Sequence, residues 1–338
     1  MSSDFMDYDP ASFDDQNYQP REELPQDSRA TLPIIPLRPL RFGEVVRGTF
    51  LALLRNPLVI IFLGLLVGII NSLSSYLTQS KQWEDKFFNQ IWIPLAAGKQ
   101  ITYGPEVQTI IKGFFQSSLI NFCVSLLVMV FISGTIAFVV SRLLLFRKAN
   151  LGETLKATGK AIPALIFIIF VHLLMMAAVL GSVFLLTSLL TDSQGRLTPE
   201  KIGLVSLALF AAMIIIVYIE LKLLFAPAAA VLEGSKPIEA IKRSWDLSRG
   251  LNLINLFTTI VTAVMATLAA FLVAVVLTLI QNLITQMISN PALASSLEIL
   301  NELLLQAVFS PLVPITWCLL YVNARFIKED FWRQLPQK

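Results

Sequence analysis

The chain has 338 residues, of which 55% are hydrophobic and only 14% are charged. Soluble globular domains average about 45–50% and about 25%, so the composition excludes an ordinary soluble protein. The net charge of +3 indicates no nucleic-acid partner, and it conceals an acidic N-terminus with eight acidic residues and two arginines among the first 30 residues.

The N-terminal segment, residues 1–31, has no apolar period and is predicted to be a disordered acidic tail. It lacks the basic start and the apolar core of a signal peptide, so the first span is expected to act as an uncleaved insertion signal. We therefore divide the chain into this tail, a polytopic membrane domain at 32–330 and a cytoplasmic C-terminal tail at 331–338.

Six apolar, charge-free stretches follow the tail. Crossing the hydrocarbon core of a bilayer takes about 20 mostly apolar residues, and five of the six stretches reach that length. The fourth reaches it only if Glu220 and Lys222 lie at the cytoplasmic boundary, with apolar sequence resuming to Leu232. The stretches run from Asn56 to Ser80, Gly113 to Ser141, Ala161 to Thr191, Ile202 to Ile219, Gly250 to Leu297 and Leu303 to Ala324. The sequence therefore predicts an all-α integral membrane protein with six transmembrane helices.

Lysine and arginine predict the orientation of these helices, because both residues are concentrated in cytoplasmic loops. If the N-terminus is cytoplasmic, 18 of the basic residues that flank the spans lie inside and six lie outside. The outer loop between the first two spans also contains acidic residues, which offset the charge of its lysines. We therefore expect both termini to be cytoplasmic.

A short charged pattern precedes three of the spans on the cytoplasmic side. A Glu and a base three residues apart are neighbours on one helical face, and each segment soon reaches a proline or a glycine. We interpret the segments as short amphipathic helices on the inner membrane surface, which belong to a three-fold internal repeat of one surface helix and one helical hairpin. The alternative is that basic amphipathic loops are simply common at this surface. The three patterns are Glu44-Val45-Val46-Arg47, Glu153-Thr154-Leu155-Lys156 and Glu239-Ala240-Ile241-Lys242.

The outer loop between the first two spans carries an aromatic face. Trp83, Phe87, Phe88 and Trp92 recur at helical spacing. Aromatic rings of this kind anchor helices at a membrane boundary, and we favour that interpretation over a ligand-binding lid.

Small residues and prolines indicate how the spans pack. Gly64, Gly68 and Ser72 lie on one face of the first span, which permits close approach of another helix. Pro311 and Pro314 remove two backbone donors from the sixth span and must kink or break it. Broken helices line the sites of some transporters, but no other repeat carries a matching break.

Few polar groups that could carry chemistry fall within the spans. His172, the only histidine, lies near the middle of the third span. A proton relay there would need a carboxylate partner, and we expect none at similar depth, because Glu220 is placed toward the inner end of the fourth span. We name His172 and Glu220 as a candidate intramembrane polar site, with an interhelical hydrogen bond as the alternative for His172. Cys123 and Cys318 are expected to be packing residues without a disulfide.

The sequence contains no motif that assembles a catalytic site. It lacks a glycine-rich phosphate loop, a nucleophile elbow and a cluster of histidines or cysteines that could bind a metal. Paired carboxylates suited to acid–base catalysis are found only in the N-terminal tail. We therefore predict that the protein is not an enzyme and has no metal and no cofactor.

Two stretches in the second half of the chain share their pattern with a known family. One runs from Ala226 to Gly234 and on through Ala240 to Gly250, and the other from Leu319 to Arg325. They resemble the membrane domain associated with bacterial glycerophosphoryl diester phosphodiesterases. That domain has a Glu-Gly turn, a helix with two bases before Ser-Trp, and a terminal Leu-Leu-Tyr-x-Asp-Leu-Arg. Asn323 and Ala324 replace the usual Asp-Leu here.

The resemblance implies a standalone six-helix domain of a bacterial inner membrane, without the separate phosphodiesterase barrel. The motif residues are candidate lipid contacts, with the bases toward anionic headgroups and with Ile241 and Trp245 toward the acyl chains; a structural role is the alternative. Gly250 is expected to end its helix with a left-handed cap. The motif residues are Glu233, Gly234, Lys242, Arg243, Ser244, Trp245, Arg249, Gly250, Tyr321 and Arg325.

We expect a non-enzymatic polytopic membrane protein that organises or stabilises the membrane or a membrane complex, with the lipid bilayer as its partner. The alternative is a transporter or lipid-translocating protein with a cavity between its spans. A water-accessible cavity that reaches His172 would favour the alternative, whereas a solid bundle with three basic surface helices would favour the scaffold.

Overall fold

The computed structural model describes residues 35–36, 38–97, 104–145, 147–190, 199–288 and 291–334. In these ranges the chain forms helices, turns and short connections and no β-strand, as predicted for an all-α protein. The predicted tail at 1–31 lies outside the described residues, as do residues 335–338 of the C-terminal tail. Phe331–Gln334, at the start of the latter, forms a 3-10 turn.

Twelve α-helices are found within the described ranges, and a π-helical turn, Phe88–Trp92, joins the third to the fourth. The helices are α1 (Phe42–Arg55), α2 (Pro57–Thr78), α3 (Ser80–Phe87), α4 (Ile93–Ala96), α5 (Pro105–Leu144), α6 (Leu151–Leu190), α7 (Pro199–Leu223), α8 (Ala226–Leu232), α9 (Pro237–Ser248), α10 (Asn252–Ile288), α11 (Pro291–Phe309) and α12 (Leu312–Glu329).

Among the described residues, six helices are long and apolar enough to cross a membrane, which confirms the predicted number of spans. Spans one, two, three and five are α2, α5, α6 and α10. Span four combines α7 and α8 over Gly203–Leu232, and span six runs over Ser296–Glu329. Span six begins earlier than predicted, because α10 ends at Ile288 and Pro291 opens a new helix; proline suits the first turn of a helix.

Spans one, three and five begin at one end of the bundle, and spans two, four and six finish there; we call it the basic end. The surface helices predicted at this end are separate elements in two of three cases, α1 and α9. The third is instead continuous with span three, since α6 runs through Pro163 without a break.

The glutamates of the repeated pattern share one structural position. Glu44, Glu153 and Glu239 are each the third residue of their helix. The carboxylate of Glu44 accepts a hydrogen bond from the backbone N–H of Arg41 at 2.8 Å, and that of Glu239 accepts one from Lys236 at 3.4 Å. These bonds satisfy amides that have no partner inside the helix. The three-fold repeat itself remains an interpretation.

Buried apolar side chains concentrate around span two, in the half of the bundle nearer the basic end. Over its most apolar window span two is 56% buried, whereas span five is 11% buried. Span two is therefore the central helix of the six candidate spans, and span five is the most peripheral.

The small-residue face predicted on span one is the surface that packs against span six. A Cβ on Gly64 would collide with the backbone of Ala307 and with the ring of Pro311. A Cβ on Gly68 would crowd the side chain of Gln306 at 3.2 Å. These glycines allow the two helices to approach closely.

The break predicted in span six is confirmed. α11 ends at Phe309 and α12 begins at Leu312, with Ser310 and Pro311 in the turn between them. The turn lies beside the cavity described below, to which Ser310 contributes its side chain.

The aromatic residues predicted in the outer loop pack largely on span two. The ring of Phe87 stacks on that of Phe114, with centroids 4.2 Å apart, and a Cβ on Gly113 would collide with the ring of Trp83. Trp92 is more than half exposed. Anchoring of this face at a membrane boundary stays a prediction.

Candidate functional site

A cavity of about 650 Å³ lies among the six candidate spans, and we name it the six-span cavity. Its volume falls within the range of about 300–1,000 Å³ that is usual for small-molecule sites. Along span two the wall extends from Phe122 to Ser133, which at 1.5 Å per residue is about 16 Å. Residues of every span contribute to the wall, among them Asn71, Met129, His172, Ile216, Ala266 and Val313.

The most polar part of this wall is a pair formed by spans three and four. His172 Nε2 lies 3.4 Å from Glu220 Oε2. His172 is buried, and its other ring nitrogen, Nδ1, lies 3.0 Å from the carbonyl oxygen of Ile168. The ring is therefore held at both nitrogens, which fixes its orientation toward the cavity.

The expectation that no carboxylate lies at the depth of His172 is wrong. As predicted from the apolar sequence that resumes to Leu232, the short helix α8 extends span four to that residue. The position of Glu220 and Lys222 relative to the membrane boundary stays a prediction. The first five residues of α8 are all buried in the core. Glu220 lies on α7, before the break between α7 and α8, and meets His172 there.

Four residues of the cavity wall carry a buried polar atom without a hydrogen-bond partner. They are Ser133 Oγ, Glu220 Oε1, Ser310 Oγ and Trp317 Nε1. Buried polar groups in proteins are almost always hydrogen-bonded, often to water or to a ligand. Four residues with such groups line one apolar cavity, and a few polar groups in an apolar wall are typical of a small-molecule site.

Four of the predicted motif residues come together at the basic end, in a group that we name the carboxylate–arginine cluster. Glu233 accepts hydrogen bonds from Arg243 at 3.1 Å and from the hydroxyl of Tyr321 at 2.5 Å, and lies 3.6 Å from Arg325. Glu329 pairs with both arginines, at 3.0 Å to Arg325. The cluster ties span four, α9 and span six to one another.

The charges of the cluster compensate each other. Burial opposes ionisation of Arg243, but its hydrogen bonds to Glu329 and Glu233 outweigh this and raise the pKa of the guanidinium above its usual range. Arg325 also stacks on the ring of Phe331, 3.8 Å from its centroid. Arg243, a candidate lipid contact, is thus neutralised within the protein. Sequence reasoning missed Glu329, although its i,i+4 spacing from Arg325 is that of a helical ion pair.

Ser244, another motif residue, forms hydrogen bonds with the backbone at the break between α7 and α8. Its hydroxyl donates to the carbonyl oxygen of Lys222 at 2.7 Å and accepts from the backbone N–H of Phe225 at 3.0 Å. The break leaves both backbone groups without a helical partner. The side chain is fully buried, so this role is structural.

The two motif glycines supply left-handed backbone. Gly234 has φ +62° in the turn after span four, and Gly250 has φ +81° after the end of α9. The predicted left-handed cap at Gly250 is confirmed. Other residues adopt this conformation only with strain.

The remaining motif residues lie on the outer side of α9. Trp245 is partly exposed, and its ring meets that of Tyr218 edge to face, with centroids 6.3 Å apart. Lys242 and Arg249 are exposed. The ammonium of Lys222 lies 5.5 Å from the centroids of both the Trp245 and the Tyr218 rings. The sequence offered no signal for this contact beyond the aromatic residues themselves.

In the part of the chain that the structure describes, no three His, Cys, Asp or Glu side chains are arranged to hold a metal ion. Cys123 and Cys318 are free thiols, as predicted. In comparisons with known proteins, no family model, no curated protein and no solved structure matches this chain.

Proposed function

We propose that this chain is a multi-pass protein of a bacterial inner membrane that binds a lipid-like amphiphile in the six-span cavity and passes it between the two sides of the bundle. The observation that carries the proposal is the cavity itself, in which an apolar wall surrounds the His172–Glu220 pair. Ionisable residues inside a membrane are costly, and they usually mark a pathway or a binding site. The geometry thus supports the transporter reading better than the scaffold.

The wall favours a ligand with an apolar body and one hydrogen-bonding group. Glu220 Oε1 needs a donor, and Trp317 Nε1 needs an acceptor. A hydroxyl or an amide can both donate to a carboxylate and accept from an indole N–H, while the apolar remainder of the ligand contacts residues such as Met129 and Val313. The pocket is smaller than a whole two-chain phospholipid requires, so we propose that one apolar chain or a short amphiphile enters it.

A line of polar side chains on span five supports passage rather than storage. Asn252, Asn255, Thr259 and Thr262 each carry a buried polar atom without a partner, and their spacing places them on one helical face. The line leads from the basic end to Ala266 on the cavity wall. We name it the span-five track and propose that it becomes hydrated when this peripheral helix moves.

The orientation remains as proposed from the basic residues, with the basic end and both termini in the cytoplasm. The resemblance to the membrane domain associated with bacterial glycerophosphoryl diester phosphodiesterases supports the bacterial location, and we propose no enzymatic activity. Organising or stabilising the membrane is the second candidate. It is favoured by the carboxylate–arginine cluster, whose compensated charges fasten three segments at the basic end.

Native mass spectrometry of the detergent-purified protein tests the main proposal. Ala266→Phe introduces a ring into the cavity, whereas Leu268→Phe enlarges a side chain on the exposed face of the same helix. We expect the wild type and Leu268→Phe to retain a bound amphiphile and Ala266→Phe to lose it. Equal retention by all three would contradict a ligand in the cavity.

A further inference from the structure

Three cationic side chains converge beside the C-terminus of α9. The ammonium of Lys328 donates to the carbonyl oxygens of Asp246 and Arg249, both at 2.7 Å. The carbonyl of Asp246 also accepts a long bond, 3.4 Å, from the backbone N–H of Arg249. The carbonyl of Arg249 lies past the last turn, so the lysine completes the C-terminus of the helix. The positive charges of Lys222, Arg249 and Lys328 act on one another across this small region.

Lys222 is the unusual member of the three. It is only 4% exposed, although lysine is almost never fully buried without a charged partner. Among the described residues no carboxylate lies within ion-pairing distance of its ammonium, and the aromatic rings of Tyr218 and Trp245 are its nearest partners. Aromatic faces attract a cation, but they do not neutralise its charge.

The acidic groups in the neighbourhood do not balance the three cations. Glu233 and Glu329 are paired with the arginines of the carboxylate–arginine cluster. Asp246 is the acidic residue whose charge acts on Lys328, and it leaves the three cations with an excess of positive charge. An anion from outside the chain would balance this excess.

We propose that Lys222, Arg249 and Lys328 form a binding site for a phosphate group, with Lys222 as its central donor. The ammonium of Lys222 offers up to three donors to phosphate oxygens, and Arg249 reaches the site from its exposed rim. Trp245 and Tyr218 are both partly exposed, and they flank the site with the kind of rings that occupy a membrane–water interface. The phosphate belongs either to a lipid headgroup or to a free phosphate ion.

This site is separate from the six-span cavity. Glu220 and Lys222 are two residues apart on α7, so they point to different sides of that helix, and only Glu220 lines the cavity. The proposal therefore does not depend on an amphiphile in the cavity. It also shifts the expected headgroup contact from Arg243, whose charge is compensated, to Lys222.

The test measures retention of phosphatidylglycerol and of phosphatidylcholine by the full-length protein in native mass spectrometry. Lys222→Gln should weaken retention of phosphatidylglycerol about fivefold, which is the contribution of one base near an anionic surface. Lys242→Gln removes the same charge from an exposed position of α9 and should change retention less than twofold. Lys222→Arg keeps the charge and should restore binding, which separates loss of the site from misfolding.

A second arm distinguishes the source of the phosphate. Inorganic phosphate and chloride are compared at equal ionic strength for their effect on the thermal unfolding of lipid-depleted protein. Stabilisation by phosphate in the wild type but not in Lys222→Gln assigns the site to the free ion. Selective lipid retention without that effect assigns it to a headgroup. Equal behaviour of Lys222→Gln and Lys242→Gln in both arms would overturn the proposal.

Discussion

His172 Nε2 and Glu220 Oε2 lie 3.4 Å apart on two different candidate spans, at the wall of one cavity. The second ring nitrogen of His172 is engaged by the carbonyl oxygen of Ile168, and the second oxygen of Glu220 is buried without a partner. The pair therefore combines a fixed imidazole with a carboxylate that has unused hydrogen-bonding capacity. A ligand group that donates a hydrogen bond would use the second oxygen of Glu220.

The pair should show energetic coupling between spans three and four. In a double-mutant cycle, His172→Ala and Glu220→Ala should be non-additive by about 0.6 kcal/mol, and by no more than about 1.7 kcal/mol, as for hydrogen bonds between membrane helices. Unfolding free energies in mixed micelles provide the measurement. The control cycle combines His172→Ala with Glu302→Ala, since Glu302 contacts Ser72 and Lys81 instead. Additivity in both cycles would show that the two side chains do not interact.

Ser244→Ala should destabilise the protein by about 1–3 kcal/mol, because it leaves the buried carbonyl of Lys222 and the N–H of Phe225 without their hydrogen-bond partner. Ser248→Ala is the matched control on the same helix. Ser248 is equally buried, but its hydroxyl donates only to the carbonyl of Trp245 in its own helix. The midpoint temperature of thermal unfolding in detergent should be clearly lower for Ser244→Ala than for Ser248→Ala. An equal loss of stability in both variants would argue against a stabilising role of Ser244 at the break between α7 and α8.

Gly64→Ala should destabilise the packing of spans one and six by about 1–3 kcal/mol, since the new methyl group meets the backbone of Ala307. Gly181→Ala in α6 is the control, because a Cβ there has open space around it. It should be neutral or slightly stabilising, as glycine inside a helix costs about 0.5–1 kcal/mol relative to alanine. Both variants can be followed by unfolding in mixed micelles. A neutral Gly64→Ala would mean that the two helices are not in close contact.

Composition and the lengths of the apolar stretches were sufficient to predict the helical class and the six candidate spans, because these depend on the length and polarity of single segments. The break at Pro311 and the left-handed Gly250 were also predictable, since proline and glycine restrict or permit backbone conformations locally. The depth of Glu220 was not. It depends on how spans three and four pack against each other, which places Glu220 beside His172 and which neither segment encodes alone.

The contacts within the candidate sites could not be predicted from the sequence either. The motif residues Glu233, Arg243, Tyr321 and Arg325 could be named from the sequence, but their meeting point could not. Tyr321 lies 88 residues after Glu233 in the chain, and only the packing of span six brings it there. The burial of Lys222 likewise depends on Trp245 of α9 packing beside it. Contacts between segments decide whether a charged residue faces lipid, a ligand or another charge, and no local pattern encodes them.

The span-five track should become accessible to water when span five moves. In a variant without Cys123 and Cys318, Thr262→Cys should react with a water-soluble methanethiosulfonate reagent, because only a hydrated thiol ionises readily. Ile260→Cys should react far more slowly, as Ile260 is half exposed on the outer surface of the same helix, where lipid is expected. Labelling kinetics in inside-out vesicles measure the difference. Similar rates at both positions would remove the support for a hydrated track.

The most direct test of the account is an experimental structure of the protein in lipid nanodiscs, determined by electron microscopy with a bound antibody fragment. We expect density for a non-protein molecule in the six-span cavity, within hydrogen-bonding distance of Glu220 or Trp317. The same density should be absent from the Ala266→Phe variant. A wild-type cavity that is collapsed, or filled by side chains of the protein itself, would contradict the proposal that this bundle holds an amphiphile.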